Sequence, residues 1–169
     1  MNSLTPGYSR AAPRAVLFCL FVAALAMMMG AASAQTEMKM RRDTLTLHTA
    51  SGAHRIDIEV AESDREKAFG LMFRRSMGDS EGMLFPYPTP QEITMWMRNT
   101  FISLDMIFIR ADGIVHRIET DTEPHSERII ASEGNVTGVL EMKAGSARRL
   151  GLKPGDRAEH AHFKSAAKR

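Results

Sequence analysis

Trp96, Arg98, Asn99 and Thr100 lie together in the stretch TMWMRNT, residues 94–100. They offer an aromatic plate, a guanidinium fork, an amide and a hydroxyl in near succession. Such a set suits a small polar or anionic ligand: a sugar, a carboxylate or a phosphate held beside a ring. Each member also has a plainer use. Trp96 can be a half-buried packing residue, and Asn99 can simply turn the chain, because asparagine tolerates left-handed backbone.

Two carboxylates extend the set. Asp105 sits in FISLDMIFI with apolar residues on both sides, and Glu141 sits in VLEMKAG. A carboxylate taken out of water is expensive unless it is paired or hydrogen-bonded. Asp105 is therefore either a structural acceptor of backbone N–H groups, a partner of Arg98 or Arg74, or a poised ligand-binding or catalytic group. If Asp105 and Glu141 face each other across a cleft, roughly 5–10 Å apart, they could act as the acid–base pair of a hydrolase on a sugar or cell-envelope substrate. Arg74, beside Arg75 and Ser76, is a further candidate for an anionic ligand.

Nine methionines follow residue 35, at positions 38, 40, 72, 77, 83, 95, 97, 106 and 142. Thioethers take Cu(I), so methionine-based copper binding is a third reading. Methionine is more often core filler, and Met95, Met97 and Met106 fall at the core phase of their strands. Only His160 and His162 have ligand-like spacing among the histidines, and no zinc pattern occurs. No cofactor and no resident metal are expected. The absence of Walker, G-x-G-x-x-G and G-x-S-x-G motifs leaves nucleotide, nicotinamide and serine-nucleophile readings without support.

These residues need a domain to hold them, and the chain's start is not part of it. Arg10 and Arg14 precede the apolar run Ala15–Met29, and Ala32-Ser33-Ala34 follows. That is the layout of a secretory signal peptide over 1–34, leaving no stable membrane anchor once cleaved; the rival reading is an uncleaved anchor, and under either the rest is exported. A periplasmic or secreted location follows. The chain's net charge of +2 is due to Arg10 and Arg14, so the exported part is neutral. A nucleic-acid surface is not indicated. The single cysteine, Cys19, lies in the apolar run, so the exported part has no disulfide and no thiol nucleophile. No oligomeric state follows from the sequence.

Residues 35–42 read as a flexible leader, 43–163 as one domain and 164–169 as a frayed tail. In RIDIEV, Ile56, Ile58 and Val60 alternate with acidic residues, which is the period of a half-buried strand. Ser63 and Glu66 form a capping-box pattern that opens a short helix ending near Gly70. Pro86, Pro88 and Pro90 argue against regular structure across PYPTPQ. ITMWM, LDMIFI and VTGVLEM read as strands, Asp112-Gly113 as a hairpin turn, and 121–134 as a long polar connection. A short helix before Gly151 and a closing strand in RAEHAHF complete the pattern. The expectation is a mainly β domain: an antiparallel sandwich or barrel, jelly-roll-like, with one or two short helices.

The segments REKAFGLMFRRSM (65–77), EGMLFPY (81–87), MWMRNTFISLDMIFI (95–109), DGIVHRI (112–118) and VLEMKAGSARRLGLKPGD (139–156) resemble, in order and spacing, the family called domain of unknown function 192, DUF192. The resemblance covers about residues 44–160. It implies a compact β fold of the sandwich or jelly-roll type and carries no established activity. Many members have cysteines where this chain reads EPHSERII, so a thiol role implied by the family has no residues here. The reading favoured by all of this is an exported module that binds a small polar or anionic ligand.

Overall fold

The computed structural model describes residues 38–163. The signal peptide expected over 1–34 and the tail over 164–169 lie outside the described residues. Within the described residues, seven strands and two short helices follow in the order β1 (Arg41–Thr49), β2 (Gly52–Val60), α1 (Asp64–Phe69), β3 (Glu81–Met95), β4 (Leu104–Ile109), β5 (Val115–Glu119), β6 (Ile130–Lys143), α2 (Ser146–Leu150) and β7 (Arg157–Glu159). The fold is mainly β, as the sequence led us to expect. The strands form a single mixed sheet, β5-β4-β6-β3-β2-β1-β7, curled into a half-barrel.

One pair, β2–β3, is parallel, while the others are antiparallel. Parallel neighbours need a crossover rather than a tight turn. The segment from Ala61 to Ser80, with α1 at its start, makes that crossover over one face of the sheet. The helix opens with the expected capping box: the Glu66 N–H donates to the Ser63 hydroxyl, and the Ser63 N–H donates to the Glu66 carboxylate at 2.7 Å. It stops at Gly70, whose φ of 49° lies in the left-handed region that glycine adopts at little cost.

Three local expectations change. β1 begins at Arg41, two residues before the expected domain start, and Met40 is buried. β3 runs straight through the proline segment, because Pro88 and Pro90 fall where the β3–β6 ladder is interrupted between Pro86 and Gln91. A proline in such a gap removes no ladder bond. The polar connection is shorter than expected, since β6 already starts at Ile130.

Alternation along the strands builds two cores. Leu45, Leu47, Ile56, Ile58, Leu84, Ile107, Leu140 and Met142 fill the concave side. Met83, Phe85, Met97, Met106, Phe108 and Val139 fill the other side, beneath α1 and the loops that follow β3. At one end the first and last strands of the sheet order meet. Val115 donates to the Asp156 carbonyl at 2.8 Å, and Ala158 donates to the Gly113 carbonyl at 2.7 Å. Gly113 (φ 80°) permits this approach, because a Cβ there would stand 2.6 Å from the Ala158 carbonyl oxygen.

Candidate functional site

On the face covered by α1, a cleft of about 210 Å³ opens between the helix and the end of β3. The helix end contributes Lys67, Phe69 and Gly70, β3 contributes Phe85, Tyr87 and Met95, and the chain beyond β3 contributes Trp96, Arg98 and Thr100. Glu141, from β6, completes the lining. The missing side chain at Gly70 matters here, since a Cβ would press to 3.2 Å on the Phe85 ring.

Glu141 is only 4% exposed. Among the described residues no hydrogen bond or ion pair reaches its carboxyl. Burial alone pushes its pKa up to about 8, so the group is largely protonated at neutral pH. Tyr87 lies near enough to feel its charge: burial, then Glu141, holds the phenol above its ordinary pKa.

The rim is aromatic and basic. Trp96 is 43% exposed, and the Arg98 guanidinium lies 5.4 Å from its ring centroid. Arg98 is also held by Glu127 at 3.1 Å. Lys67 donates to the Glu62 carbonyl and lies 5.4 Å from the centroid of Tyr87. Thr100 is buried, and its carbonyl accepts the N–H of His125.

The loops beside the rim are held in costly conformations. Phe73, Asn99 and His125 have φ of 64°, 56° and 62°. For residues with a Cβ this costs of order 1–2 kcal/mol each. The Phe73 N–H donates to the Asn99 carbonyl, and Phe101 packs between the Phe73 and His125 rings. These contacts hold the Trp96–Thr100 segment at a fixed height above the cleft.

The candidates from the sequence separate into two groups. Trp96, Arg98, Thr100 and Glu141 meet at the cleft. Asn99 turns the chain; its amide reaches only the Met72 sulfur, at 3.9 Å. Arg74 is taken up by Glu59 at 2.7 Å. Asp105 is fully buried on the opposite face, where it accepts the Asp121 and Ala147 N–H groups at 3.0 and 2.8 Å. The register explains the division. Asp105 stands opposite Met142, whereas Glu141 stands opposite Met106, so the two carboxylates point to different sides of the sheet. They share no cleft, and an Asp105–Glu141 acid–base pair does not form. Arg98 is likewise not the partner of Asp105.

The sulfur and imidazole candidates separate too. Met97 and Met106 are buried in the core, whereas Met95 is half-buried and lines the cleft. His160 is buried beside Asp43 at 3.2 Å, and His162 binds the Thr137 carbonyl at 2.7 Å. The ligand-like spacing of His160 and His162 therefore does not bring them together on one site; each is taken up by a separate protein partner. Among the described residues no group of His, Cys, Asp or Glu side chains could hold a metal ion. Lys67, Phe69, Phe85 and Tyr87 were not legible as site residues; they lie in segments already singled out, but spacing alone gives no reason for them to converge.

The model of the DUF192 family, described as uncharacterised ACR, matches residues 46–160. A crystal structure of a Sinorhizobium meliloti protein, provisionally described as a transcription regulator, is 42% identical with a TM-score of 0.72. The match covers 75% of this chain and 98% of that one. A Novosphingobium aromaticivorans protein of unknown function is 40% identical with a TM-score of 0.71, over 73% of this chain and 89% of that one. Among curated proteins none matches.

Proposed function

We propose, from the premise that this chain belongs to the DUF192 family, that it binds a small polar ligand in the cleft between α1 and the end of β3. One observation carries the reading: Glu141, buried and without a partner among the described residues, forms part of a cleft whose walls include Phe69, Phe85, Tyr87 and Trp96. Apolar walls around a few convergent polar groups are the usual build of a small-molecule site. Thr100 and Arg98 stand at its rim as further hydrogen-bonding groups.

Trp96 is the only tryptophan in the chain, so its fluorescence reports on the cleft without a label. A screen of sugars, organic acids and amines against the full chain is expected to find a compound that changes this emission and raises the melting temperature. Glu141→Leu should weaken that compound's binding at least tenfold while the protein stays folded. Unchanged affinity in the Leu variant would remove the cleft from consideration.

The same proposal takes the domain to work outside the cytoplasm, on the strength of the basic, apolar and small-residue order of residues 10–34. Protein recovered from expressing cells is expected to begin at Gln35 by mass spectrometry. An intact N-terminus in the cytoplasmic fraction would contradict it.

A further inference from the structure

Register places three glutamates in one row across the sheet. Glu59 on β2 stands opposite Met83, Met83 opposite Glu141, Glu141 opposite Met106, and Met106 opposite Glu119 on β5. Opposed residues point to the same face, so all three carboxyl groups emerge on the side of the cleft. The outer two each have cations. Glu59 pairs with Arg74 at 2.7 Å, and Glu119 pairs with Arg117 at 2.7 Å and with Arg128. Glu141, the most buried of the three, has none among the described residues.

The nearby cations are committed elsewhere. Lys143, next on the same face of β6, binds Asp79 at 2.9 Å. Lys67 lies over Tyr87, and Arg98 is shared between Trp96 and Glu127. Besides these, Tyr87 is the remaining titratable group at the cleft near Glu141. What the row lacks at its centre is a positive charge at Glu141.

We propose that the ligand supplies it: the cleft binds an organic ammonium group, with Glu141 as its counter-ion and aromatic rings as its walls. This rests on the reading of the cleft as a binding site and names the chemistry that fills it. Aromatic faces attract cations as carboxylates do, and most strongly where water is excluded. The space suits a small ligand, since a cavity of about 150 Å³ holds benzene. An acidic or hydroxyl end of the same ligand would meet Lys67 and Arg98 at the rim.

Binding an ammonium requires Glu141 to give up its proton, which leaves for solvent as the ion pair forms. The test compares benzylamine, benzyl alcohol and benzoate by calorimetry on the full chain between pH 6 and 9. Benzylamine is expected to bind alone or tightest. Its affinity should rise about tenfold per pH unit up to about 8 and then level off, with one proton released per ligand. Glu141→Gln should lose at least tenfold in benzylamine affinity at pH 8 and lose the slope. Tighter binding of the alcohol or of benzoate, or a flat benzylamine profile, would overturn the ammonium assignment and leave a binding cleft standing. Binding by none of the three would overturn the cleft itself. The wild-type slope and proton count decide the matter even if the Gln variant folds poorly.

Discussion

Asp105→Ala is expected to destabilise the protein by about 3 kcal/mol, because it strands two backbone N–H groups in the interior. Asp105 is fully buried, and its two oxygens divide the work. One accepts the N–H of Asp121, which turns in a left-handed conformation at φ 53° after β5. The other accepts the N–H of Ala147 in the first turn of α2. That helix starts at Gly145, which has no side chain to cap it, so the capping acceptor comes from β4 instead. Asp105→Asn should cost less, about 2 kcal/mol, since its amide keeps one acceptor but points a donor at a donor. Thermal unfolding should show the Ala variant melting about 10 °C lower. Ligand binding at the cleft should survive in the folded fraction, because the residue lies across the sheet from Glu141. An unchanged melting point would show that Asp105 does not hold these two segments together.

The second large effect concerns pH. Glu141 has a folded pKa of about 8 against an ordinary value of 4.5. The folded state therefore holds a proton that the unfolded chain releases. Its contribution is complete below about 4.5 and is lost progressively as pH rises to 8. The loss is on the order of 5 kcal/mol, for the rise from 4.5 to about 8 at about 1.4 kcal/mol per pKa unit. Asp43 acts in the opposite sense. Arg41 first, then the Thr44 N–H, holds it at about 2, so its stabilising share is present above its unfolded value and fades as pH falls toward 2. Stability should peak near pH 5 rather than at neutrality. Glu141→Gln is expected to flatten the arm between pH 5 and 8 in urea unfolding. A wild-type curve with no decline over that range would mean that Glu141 is already ionised or solvated.

The sequence made much of the frame legible because local chemistry decided it. Ser63 and Glu66 marked α1, Asp112-Gly113 marked a turn, and Ile56, Ile58 and Val60 marked the buried face of β2. The prolines misled because their effect depends on which side of β3 is paired, and pairing is a property of the partner strand. The site was legible in two segments, the chain just after β3 and Glu141 on β6. Trp96 and Arg98 declared themselves by type, but the separation of Glu141 from Asp105 turns on the register between β4 and β6. A shift of one residue there would have reversed it. No spacing within a single segment encodes that register.

The seam between β5 and β7 bears on the order of assembly. β7 lies at residues 157–159, yet it pairs with β1 at 46–48 and touches the start of β5. Contacts between distant parts of a chain form late and slow the overall rate. Until residues 155–159 are available, β1 and the start of β5 both present unpaired backbone, and such edges recruit other chains. A chain released short of Gly155 would thus have nearly all of its apolar core and none of its closure. Its expected failure is self-association rather than simple unfolding.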